Sequence, residues 1–165
     1  IKSKLKPSTQ LVVFPETFVA QSLNLKLVKH SFIIQLFRDS ILNYAPHTRI
    51  LTGLASHEIF EPGQTPPTTA RETPDDGYFI NYYNSAWWID SVQSLVYHKS
   101  KLVPGSEIIP YSFLFKPLEA LALDMGGTTG SLGTQTERSV FTSKGSALKI
   151  APVPLPFTVT LGVDV

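Results

Sequence analysis

Tyr97-His98-Lys99-Ser100-Lys101-Leu102-Val103-Pro104-Gly105-Ser106-Glu107 places three basic side chains, a Pro-Gly-Ser turn signal and a carboxylate in one short segment. The apolar run from Val92 to Val96, with Gln93 and Ser94 interleaved, leads into it. Apolar β-formers followed by charge and turn residues mark a strand running out into a loop, so Lys99 is expected at or just past a strand end. Loops at strand ends are where a rigid scaffold presents polar chemistry. Further towards the N-terminus, Leu11-Val12-Val13-Phe14-Pro15-Glu16 has the same logic. Its unbroken apolar run suits a strand covered on both faces. Pro15 stops it, because proline cannot donate to a ladder, and Glu16 is left at the carboxyl end.

Tyr-x-Lys-x-x-Leu-Val-Pro, followed by an acid eight residues after the lysine, resembles the lysine motif of the carbon–nitrogen hydrolase (nitrilase) superfamily. Leu102-Val103-Pro104 and Glu107 narrow the likeness to its apolipoprotein N-acyltransferase branch, which usually has Phe-Gly where this chain has Gly105-Ser106. Phe14-Pro15-Glu16 is similar to the glutamate motif of that superfamily, and Tyr83-Asn84-Ser85-Ala86 to the segment before its lysine strand. The three motifs occur in the family's order, and the likeness runs from about Leu11 to about Val153.

The resemblance implies an α/β (α+β) fold, part of an α-β-β-α sandwich with a mixed sheet. It also implies a Glu-Lys-Cys chemistry in which a cysteine attacks an acyl carbonyl. By motif position Glu16 would be the base that takes the thiol proton, Lys99 the partner of the developing oxyanion, and Glu107 the additional acid after the lysine. A thiolate is the nucleophilic form of cysteine, and an ammonium beside the carbonyl oxygen stabilises charge as it develops. In the acyltransferase branch the donor is a membrane phospholipid and the acceptor the N-terminal amine of a diacylglyceryl-cysteine lipoprotein, with no metal or cofactor. That branch works at the bacterial inner membrane with its catalytic domain on the periplasmic side. A soluble amidase of the wider superfamily is an alternative, against which Leu102-Val103-Pro104 and Glu107 argue. A non-catalytic binding domain that uses Trp87 and Trp88 is another.

Around these motifs, apolar positions from Phe32 to Phe37 predict an amphipathic helix within Leu23–Leu42, with Lys29, His30, Arg38 and Asp39 on its wet face. Thr48–Phe60 reads as a strand. Glu61–Gly77 is dense in proline near its start and reads as a loop, either a lid or a mobile insertion, with the insertion preferred. The aromatics of Tyr78–Ile89 predict a core strand pair with a hairpin at Asn84-Ser85, leaving Trp87 and Trp88 near the turn as the more exposed part. Ser112–Met125 predicts a helix ended by Gly126-Gly127. Ser139–Thr142 and Ala147–Val153 predict a hairpin about Lys144-Gly145. Lys101 is a rival to Lys99, preferred less because only Lys99 has the Tyr-x-Lys spacing.

Composition sets the outer limits. The chain has 165 residues, 42% of them hydrophobic, enough for one domain with a core. A net charge of +1 gives no electrostatic case for nucleic acid. With no cysteine, disulfides and thiolate metal sites are excluded, and the scattered His30, His47, His57 and His98 show no zinc spacing. No apolar run reaches the ~20 residues of a membrane helix. The strand and membrane helices that precede the glutamate motif in the family are absent, which implies a fragment of a larger membrane enzyme. Residues 1–153 read as a partial carbon–nitrogen hydrolase domain and 154–165 as an atypical tail. Where the family continues into Cys-Tyr-Glu, this chain has none. Pro156–Thr160 can be encoded by DNA that reads Ile-Tyr-Gly-Asp in another phase, as follows that motif in the family, implying a frameshift near Val153 and an inactive chain.

Overall fold

The computed structural model describes residues 5–16, 18–74, 77–103, 107, 131–142 and 149–150. The helix expected at Ser112–Met125, the turns at Pro104-Gly105-Ser106 and Lys144-Gly145, and the tail from residue 154 lie outside them. The described chain is α+β with one mixed sheet, as expected from the sequence.

Two long strands form the spine. β3 (Arg49–Phe60) and β5 (Phe79–Ile89) run antiparallel over their full length, from Ile50 opposite Ile89 to Phe60 opposite Phe79. The free edge of β3 carries two short strands in succession, β1 (Leu11–Val13) and β2 (Val19–Asn24), both parallel to it. They are one edge strand interrupted at Pro15 and Glu16. The free edge of β5 carries β4 (Arg71–Glu72) and β6 (Ser94–His98), both antiparallel, with Gly133 bridging to Tyr83 between them. β7 (Phe141–Thr142) and β8 (Lys149–Ile150) form a separate antiparallel pair, in keeping with the expected hairpin.

Side chains alternate across a strand, and the register sorts them onto two faces. On one face Ile50, Leu54, Trp87 and Ile89 pack with Ile34, Phe37, Ile41 and Leu42 in a buried cluster. These last four belong to the expected helix, α1 (Phe32–Phe37), which runs on through a π-helical turn at Arg38–Leu42. Asn43 N–H donates to the Arg38 carbonyl at 2.8 Å and closes that turn. On the other face Leu51, Ala86, Trp88, Tyr97 and Phe141 form a second cluster. Arg38 and Asp39 are exposed on this helical run, while Lys29 and His30, expected on the same helix, are exposed in a separate 3-10 turn at Val28–His30.

Three expectations are corrected. Tyr78–Ile89 is not a hairpin: Asn84 and Ser85 sit inside β5, each paired across β3. Their turn-forming character is overridden because both polar side chains find partners on the sheet, Ser85 with Ser56 and His98 at 2.8 Å each. The reversal comes instead at Asp90, whose Oδ1 accepts from the backbone N–H groups of Val92 and Gln93 at 2.8 and 2.7 Å. Trp87 and Trp88 are consequently not exposed; both are 0% accessible, on opposite faces of the strand. Rings of this size bury ~150–250 Å², worth up to roughly 4–6 kcal/mol each. A binding surface built on the two tryptophans is therefore ruled out. Finally, the proline-rich stretch after Phe60, read as a loop, returns to the sheet as β4.

Candidate functional site

Pro15 ends the pairing of β1, but the chain does not leave the sheet. Phe14 N–H donates to the Leu51 carbonyl at 2.8 Å, and Gly53 N–H donates to the Pro15 carbonyl at 3.1 Å. Glu16 thus rides over Gly53, so closely that a Cβ there would overlap the Cα, carbonyl carbon and oxygen of Glu16. Glycine inside a strand marks such an approach of another backbone. At the other side of the spine, β6 delivers Lys99 just past its end, where Lys99 N–H donates to the Asn84 carbonyl at 2.8 Å.

These two placements bring the expected site residues together. Lys99 Nζ lies 3.0 Å from Glu16 Oε1 and 2.9 Å from Glu107 Oε1. The three side chains are 10, 28 and 13% exposed respectively, so the ion pairs are largely shielded from water. Lys101, the rival, is exposed. Asn84 completes the cluster. Its Nδ2 donates to Glu16 Oε1 and to Glu107 Oε1, both at 2.8 Å. Ionised carboxylates only accept, so the amide nitrogen must be the atom that faces them.

The two carboxylates are held differently. Glu107 is engaged on both oxygens, Oε1 by Lys99 and Asn84 and Oε2 by the Val103 N–H at 2.7 Å. Burial pushes its carboxyl up, but the Lys99 ammonium, the Val103 N–H and the Asn84 amide outweigh it and leave the group below the usual carboxylate range. For Glu16 the bonds to Lys99 and Asn84 both fall on Oε1. Glu16 is also the more open of the two and forms part of a cavity wall.

That cavity, of about 470 Å³, is lined by Glu16 and Asn84 together with Val19, Ala55, Tyr82 and Leu132, among others. Its size is that of an ordinary small-molecule site. Leu132 is brought there by a strap: its N–H donates to the Glu107 carbonyl at 3.0 Å, and Gly133 N–H to the Tyr82 carbonyl at 2.7 Å. Ser22, also on the wall, shares a 2.8 Å hydrogen bond with His57 Nδ1. Burial pushes both the His57 and His98 imidazoles down, so they are neutral at neutral pH. Among the described residues no group of His, Asp and Glu is arranged to hold a metal ion, and no helix is long and apolar enough to cross a membrane.

No protein-family model matches the chain, and no curated protein matches it in sequence. Reading the sequence missed Asn84 as a member of the cluster, although it lies in the quoted Tyr83–Ala86 segment. It also missed Gly53, whose only signal was a glycine in the middle of an apolar strand.

Proposed function

We propose that the chain is part of a carbon–nitrogen hydrolase-type acyltransferase, with Glu16 as general base, Lys99 as oxyanion partner and Glu107 as the acid that fixes the lysine. The observation that carries this reading is the shielded Glu16–Lys99–Glu107 cluster at the wall of an apolar cavity. In this reading the sheet with α1 on one face is half of the α-β-β-α sandwich, and the face bearing Glu16 and Lys99 is its inner side. The acyl donor is a phospholipid, the acceptor a lipoprotein N-terminal amine, and the setting the bacterial inner membrane.

Chemistry separates the roles of the two carboxylates. Glu107 is ionised and occupied on both oxygens, so it is poorly placed to accept a proton. Glu16, whose bonds among the described residues fall on Oε1, would take a proton from a nucleophile in the cavity on Oε2. An ammonium has three N–H donors, and Lys99 gives two to the carboxylates. Among the described residues the third has no partner, and it would go to an oxygen on which charge develops. The apolar lining from Val19, Ala55 and Leu132 suits an acyl chain better than a polar amide. The superfamily reaction needs a sulfur nucleophile, and this chain has no cysteine, so by itself it forms no thioester.

The test is the coding DNA on both sides of this sequence, followed by expression of whatever continuous frame it defines. A Cys-Tyr-Glu motif downstream, in this phase or another, is expected. The polypeptide that includes it should acquire an acyl adduct on that cysteine when incubated with phospholipid, read by intact-mass spectrometry, and Glu16→Gln should abolish the adduct. No such motif in any phase, or acyl transfer by the 165-residue chain alone, overturns the proposal.

A further inference from the structure

Ser22 and His57 meet at the cavity wall, and the acyl-transfer roles use neither. Ser22 Oγ lies 2.8 Å from His57 Nδ1, and Ser22 lines the cavity. The pairing of β2 with β3 shifts register between Val19 and Leu23, on the segment that holds Ser22. Such an irregularity re-aims a side chain and is frequent beside active sites. Counted back from Leu23, which stands opposite Ser56, Ser22 falls level with Ala55, and Ala55 stands opposite Asn84. Between Ser22 and Asn84 that row holds only the small side chain of Ala55, and all three residues line the cavity.

A serine hydroxyl is a weak nucleophile until a base takes its proton, and an imidazole within hydrogen-bond reach is the commonest base. Burial pushes the His57 imidazole down, so the ring is neutral and can accept a proton. With the ring proton on Nε2, Ser22 donates to Nδ1 and the pair is set for transfer. The backbone beneath it is fixed, since Leu25 N–H donates to the His57 carbonyl at 2.9 Å. The Tyr82 ring packs beside the imidazole at 5.8 Å, and the Arg71 guanidinium carbon lies 5.8 Å from the Tyr82 centroid. Across Ala55, Asn84 is bonded to Glu16 Oε1, and Lys99 Nζ lies 3.0 Å from the same oxygen. Positive charge thus stands on the far side of Ala55 from the serine, where a carbonyl oxygen turning negative is stabilised.

We propose that Ser22 is a nucleophile with His57 as its general base, and that the pair hydrolyses carboxylic esters with a small apolar acyl part. Ser22 Oγ bonds to the ester carbonyl carbon as its proton passes to His57 Nδ1. The bond from that carbon to the alcohol oxygen breaks, and the alcohol leaves with the proton. Water then gives a proton to His57 and attacks the Ser22 ester; the acid is released and Ser22 regains its proton. The acceptor is water and not a lipoprotein amine, and no cysteine takes part, so this activity stands apart from the acyl-transfer reading.

The native 165-residue chain is incubated with a short-chain alkyl fluorophosphonate, and the adduct is located by intact-mass and peptide mass spectrometry. One phosphonyl group on Ser22 is expected, formed at a rate that rises with pH and levels off by neutrality as a neutral imidazole base requires. Hydrolysis of p-nitrophenyl butyrate, followed by absorbance, should fall about 100-fold or more in Ser22→Ala and in His57→Gln; thermal melts check that both variants fold. The labelling needs no variant, so it decides the matter even where a substitution unfolds the chain. No label, a label on another residue, or a folded His57→Gln chain labelled at the native rate overturns the pair. Ester turnover unchanged in Ser22→Ala overturns the hydrolysis. Each of these failures leaves the acyl-transfer reading as it was, because that reading fails on the absence of a downstream cysteine motif.

Discussion

Replacing Gly53 with alanine tests the placement of Glu16 directly. Gly53 lies in the middle of β3, and its N–H donates to the Pro15 carbonyl at 3.1 Å. An added methyl would occupy space now filled by the Glu16 backbone, not by a flexible side-chain end, so the edge strand must move. Overpacking of this kind costs about 1–3 kcal/mol, and a weakened Gly53–Pro15 hydrogen bond adds about 1 kcal/mol. Against this, Gly→Ala at a compatible position stabilises by about 0.4–1 kcal/mol through the unfolded chain. The expected net loss is about 1–3 kcal/mol, and its sign is diagnostic, because without the close approach Gly53→Ala would be neutral or stabilising. Urea denaturation of the native chain and the variant measures it. Because the clash is with backbone, Glu16→Ala in the same chain should not rescue it. A midpoint equal to or above the native one would refute the claim that Gly53 seats Glu16.

Four further outcomes are expected. Lys99→Met leaves Glu16 and Glu107 facing each other without a counter-ion. It should cost about 3 kcal/mol or more at pH 7, and the loss should shrink as the pH falls and a carboxyl takes up a proton, read from urea midpoints between pH 3 and 7. Glu107 has its folded-state pKa depressed, so its stabilising effect is full above the unfolded carboxylate range, about pH 4.3, and is lost as pH falls through the lower folded value. The native chain should therefore lose more stability than Glu107→Gln on acidification from pH 5 to 3. Asn84→Ala removes two charge-assisted hydrogen bonds and should cost about 2–4 kcal/mol, whereas Lys101→Ala, at an exposed position, should change stability by less than about 0.5 kcal/mol. Trp87 and Trp88 should emit at short wavelength and resist acrylamide quenching, and ready quenching in the folded chain would contradict their burial.

Much of the spine was legible because its signals are local. An apolar run stopped by proline announced β1, the apolar positions around Ile50, Leu51, Leu54 and Ala55 announced β3, and the i, i+3, i+4 spacing of Phe32 to Phe37 announced α1. The end of β6 before Lys99 could be placed for the same reason. Asn84 and Ser85 misled because turn propensity is local, whereas the hydrogen bonds that hold them in a strand come from Glu16, Ser56, His98 and Glu107, distant in sequence. The tryptophans beside them were misplaced along with the turn.

The sequence by itself placed charge at strand ends, since the apolar runs and the turn residues that follow them fix that. A resemblance of motifs singled out Glu16, Lys99 and Glu107. Only the tertiary structure decided that they meet. Glu16 and Lys99 approach because an interrupted edge strand crosses a glycine in β3, and because β5 runs unbroken to hold Asn84 between the two carboxylates. Nor could spacing reveal the cavity or Arg71 in its wall, since both arise where β4 returns to β5. Convergence of distant groups depends on strand register, and register is set by the whole sheet, not by any one segment.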